Sequence, residues 1–446
     1  MCNICGIVSE KFRPESTYWG KMCEYVTKSK SIKGNGCFAS GVHDTYCKFL
    51  GESEYIVLVD GKIRNSDALV RSINLRGIGT ETTHIAEIVF WCYILHGESC
   101  FKNFKGEFCI VIWDGYEKEL IMIRDKTGIN TLFYYQDGLR LAFASQIKGL
   151  FTFPFTKKEL CDDIYCRLFA LAGNRSPGET LFKNICEVPP GCYVKYKDFK
   201  VTVVRYHIFS LKDRTDDFEQ TISGVEYLCK NSNNVDIMCE KDLTKDTLKN
   251  NIKKFVLKSD MPSPYVNMKT LSNMDAEENI YDRTGVFNIP HIAKLSAMWC
   301  RKNVKEFTND YLSTLPPFDF KDEKDISKKE EIYLKQYIVL PQVVYAKRKA
   351  CEHIQFPFLN EDVTEYLLHS LDYGKRIAKH LYPVQNKCNK HNLKVLKTAF
   401  YEMLSERNLM SGLIGKDELL KFTRLFPRPE TMLYLIQVDI WLNSFL

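Results

Sequence analysis

Short apolar runs bounded by glycine and charged residues mark the first half of the chain. Residues 54–60, Glu-Tyr-Ile-Val-Leu-Val-Asp, run into Gly61, and residues 107–114, Glu-Phe-Cys-Ile-Val-Ile-Trp-Asp, run into Gly115. Segments 118–125, 131–135 and 139–144 follow, the last two separated by Gln136-Asp137-Gly138. Runs of this length, rich in β-branched and aromatic residues, predict strands, and their closeness in sequence predicts antiparallel pairing. Residues 84–97 are apolar over most of their length and end at Gly97, which predicts a largely buried helix. Strands interrupted by buried helices predict sheets covered by helices, an α+β domain.

The glycines divide the chain. Eighteen of 23 precede residue 210, and glycine marks tight turns and close backbone approaches. Residues 1–210 therefore read as a hairpin-rich first domain and 211–446 as a mainly helical second one. The polar stretch 208–235 is the boundary between them. Beyond it, 235–239 reads as a short buried strand. Helices are predicted at 247–257, 291–313, 328–350, 361–371, 392–407 and 429–445, with an exposed loop at 314–328. No internal repeat or low-complexity segment is present.

Composition changes this picture little. The 446 residues suffice for two or three domains. A net charge of +6 spread among acidic residues gives no footprint for nucleic acid or an anionic membrane. No apolar run approaches the ~18 residues of a membrane span, and no signal peptide is evident. Seventeen cysteines, an odd number with nothing pointing to secretion, favour reduced thiols and a cytoplasmic protein. Cys2-x-x-Cys5 is the one CxxC pair. Cys161/Cys166, Cys186/Cys192 and Cys388 with His391 do not complete the four close ligands a structural zinc site needs, so no metal site is expected.

A series of motifs then occurs in order. Cys5-Gly6-Ile7-Val8 is followed by Asp60-Gly61-Lys62-Ile63-Arg64-Asn65, Lys105-Gly106-Glu107-Phe108 and Arg124-Asp125-Lys126-Thr127-Gly128-Ile129. Phe143-Ala144-Ser145-Gln146, Glu179-Thr180-Leu181-Phe182, Val188-Pro189-Pro190-Gly191 and Arg205-Tyr206 complete it. Together these resemble the class II glutamine amidotransferase domain of asparagine synthetases. The likeness is strong over 5–206 and patchy over 216–375, where Leu340-Pro341 and Pro357-Phe358-Leu359-Asn360 resemble synthetase-domain signatures. The resemblance implies an α+β N-terminal-nucleophile hydrolase fold, layered α/β/β/α, followed by a degenerate, mainly helical α/β synthetase-like domain. In that family the first domain frees ammonia from glutamine, and the second activates aspartate with ATP.

Glutamine hydrolysis in this family needs a cysteine thiolate beside a free α-amine that serves as base, and donors for the oxyanion. The resemblance places the nucleophile at Cys5, which has four residues ahead of it; a peptide nitrogen is no base. Loss of Met1 would expose Cys2 instead, but three extended residues separate it from the family position, ~10 Å at ~3.3 Å each. Removal of residues 1–4 would expose Cys5 itself.

The remaining pocket positions depart from the family. No arginine lies between Lys33 and Arg64 to clamp a carboxylate, and lysine lacks the planar fork. The oxyanion amide falls on Asp60, whose carboxylate would repel a developing oxyanion, while Gly61 keeps one backbone donor. The ammonium-binding aspartate falls on Ile85. Arg124, Asp125, Gly128 and the 189–191 turn read as retained scaffolding, with an Arg124–Asp125 charge pair pinning a turn.

In the second half, the family's glycine-rich pyrophosphate loop falls on Glu240-Lys241-Asp242-Leu243-Thr244-Lys245-Asp246, which has carboxylates where glycines should admit phosphates. Its second acidic loop falls on 304–310 without glycine, and its last aspartate on Asn360. ATP and magnesium are implied by the resemblance, but their ligands are absent, so no cofactor is expected.

These readings converge on an asparagine synthetase-like pseudoenzyme with a binding or scaffolding role. The alternative is a residual glutamine amidohydrolase using Cys5. The expected partner is an unidentified protein, with 431–446 docking on the body or on that partner. The resemblance alone allows a homodimer.

Overall fold

A computed structural model describes residues 4–9, 31–33, 36–40, 45–79, 84–164, 167–168, 178–209, 217–229, 242–259, 262–263, 271, 361–368, 389–405, 415, 417, 419–421 and 429–445. Cys2 and the segments 235–239, 291–313, 314–328 and 328–350 lie outside the described residues. The chain divides into two units, one of residues 1–159 and 177–209, the other of 160–176 and 210–446.

The first unit carries twelve described strands. They are β1 (Ile4–Ser9), β2 (Ser31–Lys33), β3 (Gly36–Ser40), β4 (Thr45–Leu50), β5 (Ser53–Ile63), β6 (Gly106–Asp114), β7 (Glu119–Arg124), β8 (Phe133–Gln136), β9 (Arg140–Ala144), β10 (Ile185–Glu187), β11 (Cys192–Lys197) and β12 (Lys200–Arg205). Sheet 1 runs β10-β8-β9-β1-β3-β2 and sheet 2 runs β12-β11-β7-β6-β5-β4. Every recorded pairing is antiparallel.

One buried cluster joins Ile4 and Val8 of β1 to Ile56 and Leu58 of β5, Val111 of β6, Met122 of β7 and Phe143 of β9. This is the apolar layer between the sheets. The alternate residues of β5, Val57, Val59 and Ile63, belong to a second cluster with α1 (Ser66–Asn74) and α2 (Ile85–His96). A two-residue period thus sends one face of sheet 2 to sheet 1 and the other to the helices. The result is an α/β architecture of stacked sheets with helical cover.

The apolar run at 84–97 forms α2, and Gly97 at φ +55° ends it as the composition predicts. The nearness of 118–125 and 131–135 misleads, however: β7 and β8 belong to different sheets. The connection between them is a crossover, and its geometry is set by Asp125. That carboxylate accepts hydrogen bonds from the backbone N–H groups of Thr127, Gly128 and Ile129 at Oδ1 and of Asn130 at Oδ2, at 2.6–3.2 Å. Asp125 is therefore consumed in shaping the turn: it favours the Arg124 charge through its field, but the direct ion pair expected between the two is made with Glu187 instead. Arg124, 2 % exposed, bridges Glu187 of β10 at 2.7 Å and donates to the carbonyls of Gly128, Asn130 and Val188. Burial opposes its charge, but Glu187 outweighs that and holds the guanidinium above its ordinary pKa.

After the short α3 (Ile147–Leu150) of the first unit, α4 (Phe218–Cys229) of the second occupies part of the stretch read as a polar boundary. Asp217 opens it: its side chain accepts from Gln220 N at 2.8 Å, and Gln220 Oε1 accepts from Asp217 N at 3.0 Å. This reciprocal cap outweighs the polarity. Gly224 of α4 meets Tyr366 of α6 (Glu361–Leu368) so closely that a Cβ would overlap the phenol ring. Gly224 thus lets the two helices approach closely. Three further helices pack together: α5 (Lys245–Ser259), α7 (Lys390–Ser405) and α8 (Pro429–Phe445). Helix α8 is buried along nearly its whole length, including Trp441 and Tyr434, so the docked reading of 431–446 describes it within this unit. Among the described residues no helix is long and apolar enough to cross a membrane.

Candidate functional site

Cys5 lies inside β1 and is fully buried, paired with Ala39 of β3 and Ala144 of β9. The residue ahead of it is part of the same strand. Ile4 is also fully buried and pairs with Ser40. Its carbonyl accepts from Ser145 N at 3.0 Å and Ser145 Oγ at 3.1 Å, and its N–H donates to Ser145 Oγ at 3.3 Å. The carbonyl of the Ile4–Cys5 peptide is therefore fixed within a buried ladder.

Strand periodicity fixes where the side chains face. Ile4 and Val8 lie in the layer between the sheets, so Cys5, one position out of step, lies on the opposite face of β1. Asp60 is in step with Ile56 and Leu58, so its side chain, 8 % exposed, lies on the face of β5 turned toward sheet 1. The two predicted positions occupy facing sheets, and the thiol is turned away from the face that carries the carboxylate.

Gly61 follows at φ +118°, a conformation that side-chain-bearing residues rarely adopt. A Cβ there would overlap the Glu107 carbonyl and the Asn130 amide. Asn130 explains the crowding: its Nδ2 donates to the carbonyls of Asp60 at 2.9 Å and Glu107 at 3.2 Å. The crossover loop shaped by Asp125 thus delivers an amide that pins β5 beside Gly61. Asn65 plays a similar part nearby, donating to Asn103 O and accepting from Lys105 N, both at 2.9 Å. Sequence reading missed Ser145, Asn130 and Asn65 as organisers. Asn65 and Ser145 lie inside motifs and Asn130 just beyond one, but all three act on backbone groups of distant segments, and residue type alone does not reveal that role.

A nucleophilic thiol needs a depressed pKa. Burial instead pushes Cys92 up to about 12 and raises Cys100, Cys186 and Cys192, while burial and then Glu54 push Cys47 up to about 11. Cys186 and Cys192 lie in different sheets. No group of three or more metal-ligating side chains occurs among the described residues.

In the second unit, Asp242–Thr244 occupies the middle of the predicted pyrophosphate loop. Asp242 accepts from Asn389 Nδ2, and Leu243 N donates to Asn392 Oδ1 at 2.7 Å. His391 Nε2 lies 3.0 Å from Leu243 O. Thr244 Oγ1 accepts from Thr247 N at 3.2 Å, so the first turn of α5 is capped by its own chain. The segment is tied to α7 by side chains where a phosphate loop would offer free amides.

With this geometry in view, comparison with known proteins is direct. A family model described as a glutamine amidotransferase domain matches residues 49–207. Asparagine synthetase [glutamine-hydrolyzing] 3 of Bacillus subtilis is 28% identical over 182 residues, covering 41% of this chain and 30% of that protein. Residues 49–207 are a glutamine amidotransferase domain of the asparagine synthetase kind. Asparagine synthetase [glutamine-hydrolyzing] 2 of the same organism is 33% identical over 153 residues, 33% of this chain and 20% of that protein. The chain thus covers less than a third of the length of either relative. A solved structure of the allosteric regulatory enzyme of purine biosynthesis aligns at 15% identity and a TM-score of 0.35, over 57% of this chain and 58% of that one. The matched amidotransferase domain holds Asp60, Gly61 and Asn130 but begins after Cys5.

Proposed function

We propose that this chain keeps an amidotransferase scaffold, of the N-terminal-nucleophile hydrolase fold, as a binding protein and does not hydrolyse glutamine. The observation that carries this reading is buried Ile4, whose own N–H and carbonyl are both held by Ser145, so that the residue ahead of Cys5 is built into the strand. The chemistry needs an amine at the nucleophile, and an amide nitrogen in a ladder cannot accept a proton at neutral pH. Asp60 supports the same reading: the position that the resemblance gives to the oxyanion donor carries a carboxylic acid side chain, on a face that the Cys5 thiol does not share.

We read the second unit as a degenerate synthetase-like domain. Its loop at Asp242–Thr244 is closed by Asn389, Asn392 and the Thr244 cap, which leaves little for a pyrophosphate to bind. Asparagine synthesis is accordingly not part of this reading.

The test is ammonia release from glutamine by the purified protein, with a Cys5→Ala variant as control. The proposal predicts equal background rates for both. A glutamine-dependent rate that Cys5→Ala abolishes would overturn it.

A further inference from the structure

Two helices of the second unit carry lines of exposed charge at matching intervals. On α4, Glu219, Ser223 and Glu226 are exposed, while Thr221, Ile222 and Val225 are buried. The i, i+4, i+7 spacing sets the three exposed side chains in one line along the helix. On α7, Lys390, Lys394 and Lys397 are exposed at the same spacing, opposite buried Leu396, Ala399 and Met403. Each buried face anchors its helix, so each line is a fixed surface.

The charges on these lines are uncommitted. Among the described residues, the side chains of Glu219, Glu226, Lys390, Lys394 and Lys397 make no ion pair or hydrogen bond. Their neighbours are used: Lys245 and Lys249 of α5 both bridge Glu402, at 2.6 and 3.2 Å, and Asp217 caps α4. Helix α4 contains no lysine or arginine, and Glu402 is the one acidic residue of α7. A tyrosine borders each line. Tyr227, 75 % exposed, follows Glu226, and Tyr401, 50 % exposed, stands one turn beyond Lys397. Among the described residues of the second unit, these two are the exposed large hydrophobic side chains, and tyrosine is enriched at protein interfaces.

We propose that a second copy of this chain docks here, with α4 of one copy lying along α7 of the other. Glu219 and Glu226 are seven residues apart, as are Lys390 and Lys397, about 10 Å at ~1.5 Å per residue. The two acids therefore meet the two outer lysines whichever way the helices run. Lys394 then faces the Ser223 hydroxyl, an acceptor for its ammonium. The two tyrosines add apolar area beside the pairs. Exposed ion pairs set register and encounter rate more than affinity, so the contact is weak and salt-sensitive. A two-fold arrangement uses it twice, α4 on α7 and α7 on α4, and closes. Nucleic acid suits the lysine line less well, because lysine lacks the planar fork for phosphate and the matched acidic line would have no use.

The test is sedimentation of the full chain over a concentration series, with and without nuclease, at low and at physiological salt. The expected result is a rise in mass with concentration that nuclease leaves unchanged and that physiological salt weakens about tenfold. Glu219→Lys with Glu226→Lys, and Lys390→Glu with Lys397→Glu, are each expected to abolish that rise, with folding checked by circular dichroism. Mixing the two variants restores it, because like charges face each other between copies of one variant and opposite charges between copies of the two. A native chain whose mass stays constant across the series overturns the proposal, as does association that both reversals leave intact or a mixture of folded variants that does not associate. Association that nuclease removes assigns the lysines to nucleic acid and overturns it too. Where a variant fails to fold, the native chain still decides, since association indifferent to salt contradicts the charge pairing.

Discussion

Asn130 Nδ2 donates to the backbone carbonyl of Asp60 at 2.9 Å, from a loop 70 residues further along the chain. The same nitrogen reaches Glu107 O at 3.2 Å. One buried amide therefore holds neighbouring strands at the point where the amidotransferase pocket should form. Asn130→Ala would leave buried carbonyls short of a donor, at a cost of about 1–3 kcal/mol. Chemical denaturation should show that loss, with the native fold retained by circular dichroism.

Gly61 has its own test. At φ +118°, with the Glu107 carbonyl and Asn130 against its α-carbon, any Cβ is strained and overlapped at once. Gly61→Ala should destabilise by more than the ~1 kcal/mol that separates these residues in ordinary positions. A thermal midpoint equal to that of the parent would contradict the close approach.

The Arg124–Glu187 bridge makes a third prediction. Both groups are buried and 2.7 Å apart, so removing one charge strands the other. Glu187→Gln should cost roughly 3–5 kcal/mol, while Arg124→Met combined with Glu187→Leu should cost less than the two single changes together. A double-mutant cycle in denaturant measures both.

His207 gives the pH dependence. Its folded pKa, about 4, is below the ordinary 6.5, chiefly through burial. The unfolded chain therefore binds the extra proton as pH falls below about 6.5. The stability contributed by neutral His207 is present above that pH and is lost as pH falls toward about 4. His207→Gln should flatten this part of the stability–pH curve, which denaturant midpoints across the window would record.

Much of this architecture is legible in the chain. The apolar run ending at Gly97 becomes α2, and the Val- and Ile-rich runs before Gly61 and Gly115 become β5 and β6, because continuous apolarity has only buried solutions. The turn glycine expected at Gly191 takes φ +63°. The short β10 and the polar β12 give no comparable signal, being three residues long and half exposed respectively. The crossover after β7 escapes because nearness in sequence favours a hairpin, and only the Asp125 side chain, by capturing four successive amides, redirects the chain. At the site, Gly61 and Asp60 stand out as departures or retentions within a motif. The roles of Ser145, inside a motif, and of Asn130, just past one, are not legible there, since their contacts are with main-chain atoms of distant strands.

The central claim is that Cys5 is a strand residue and not a working nucleophile. The most direct measurement is the intact mass of the native protein before and after treatment with an electrophilic glutamine analogue. The account predicts a chain that still carries Ile4 ahead of Cys5 and no adduct on that sulfur. A chain beginning at Cys5 with one covalent adduct there would contradict it.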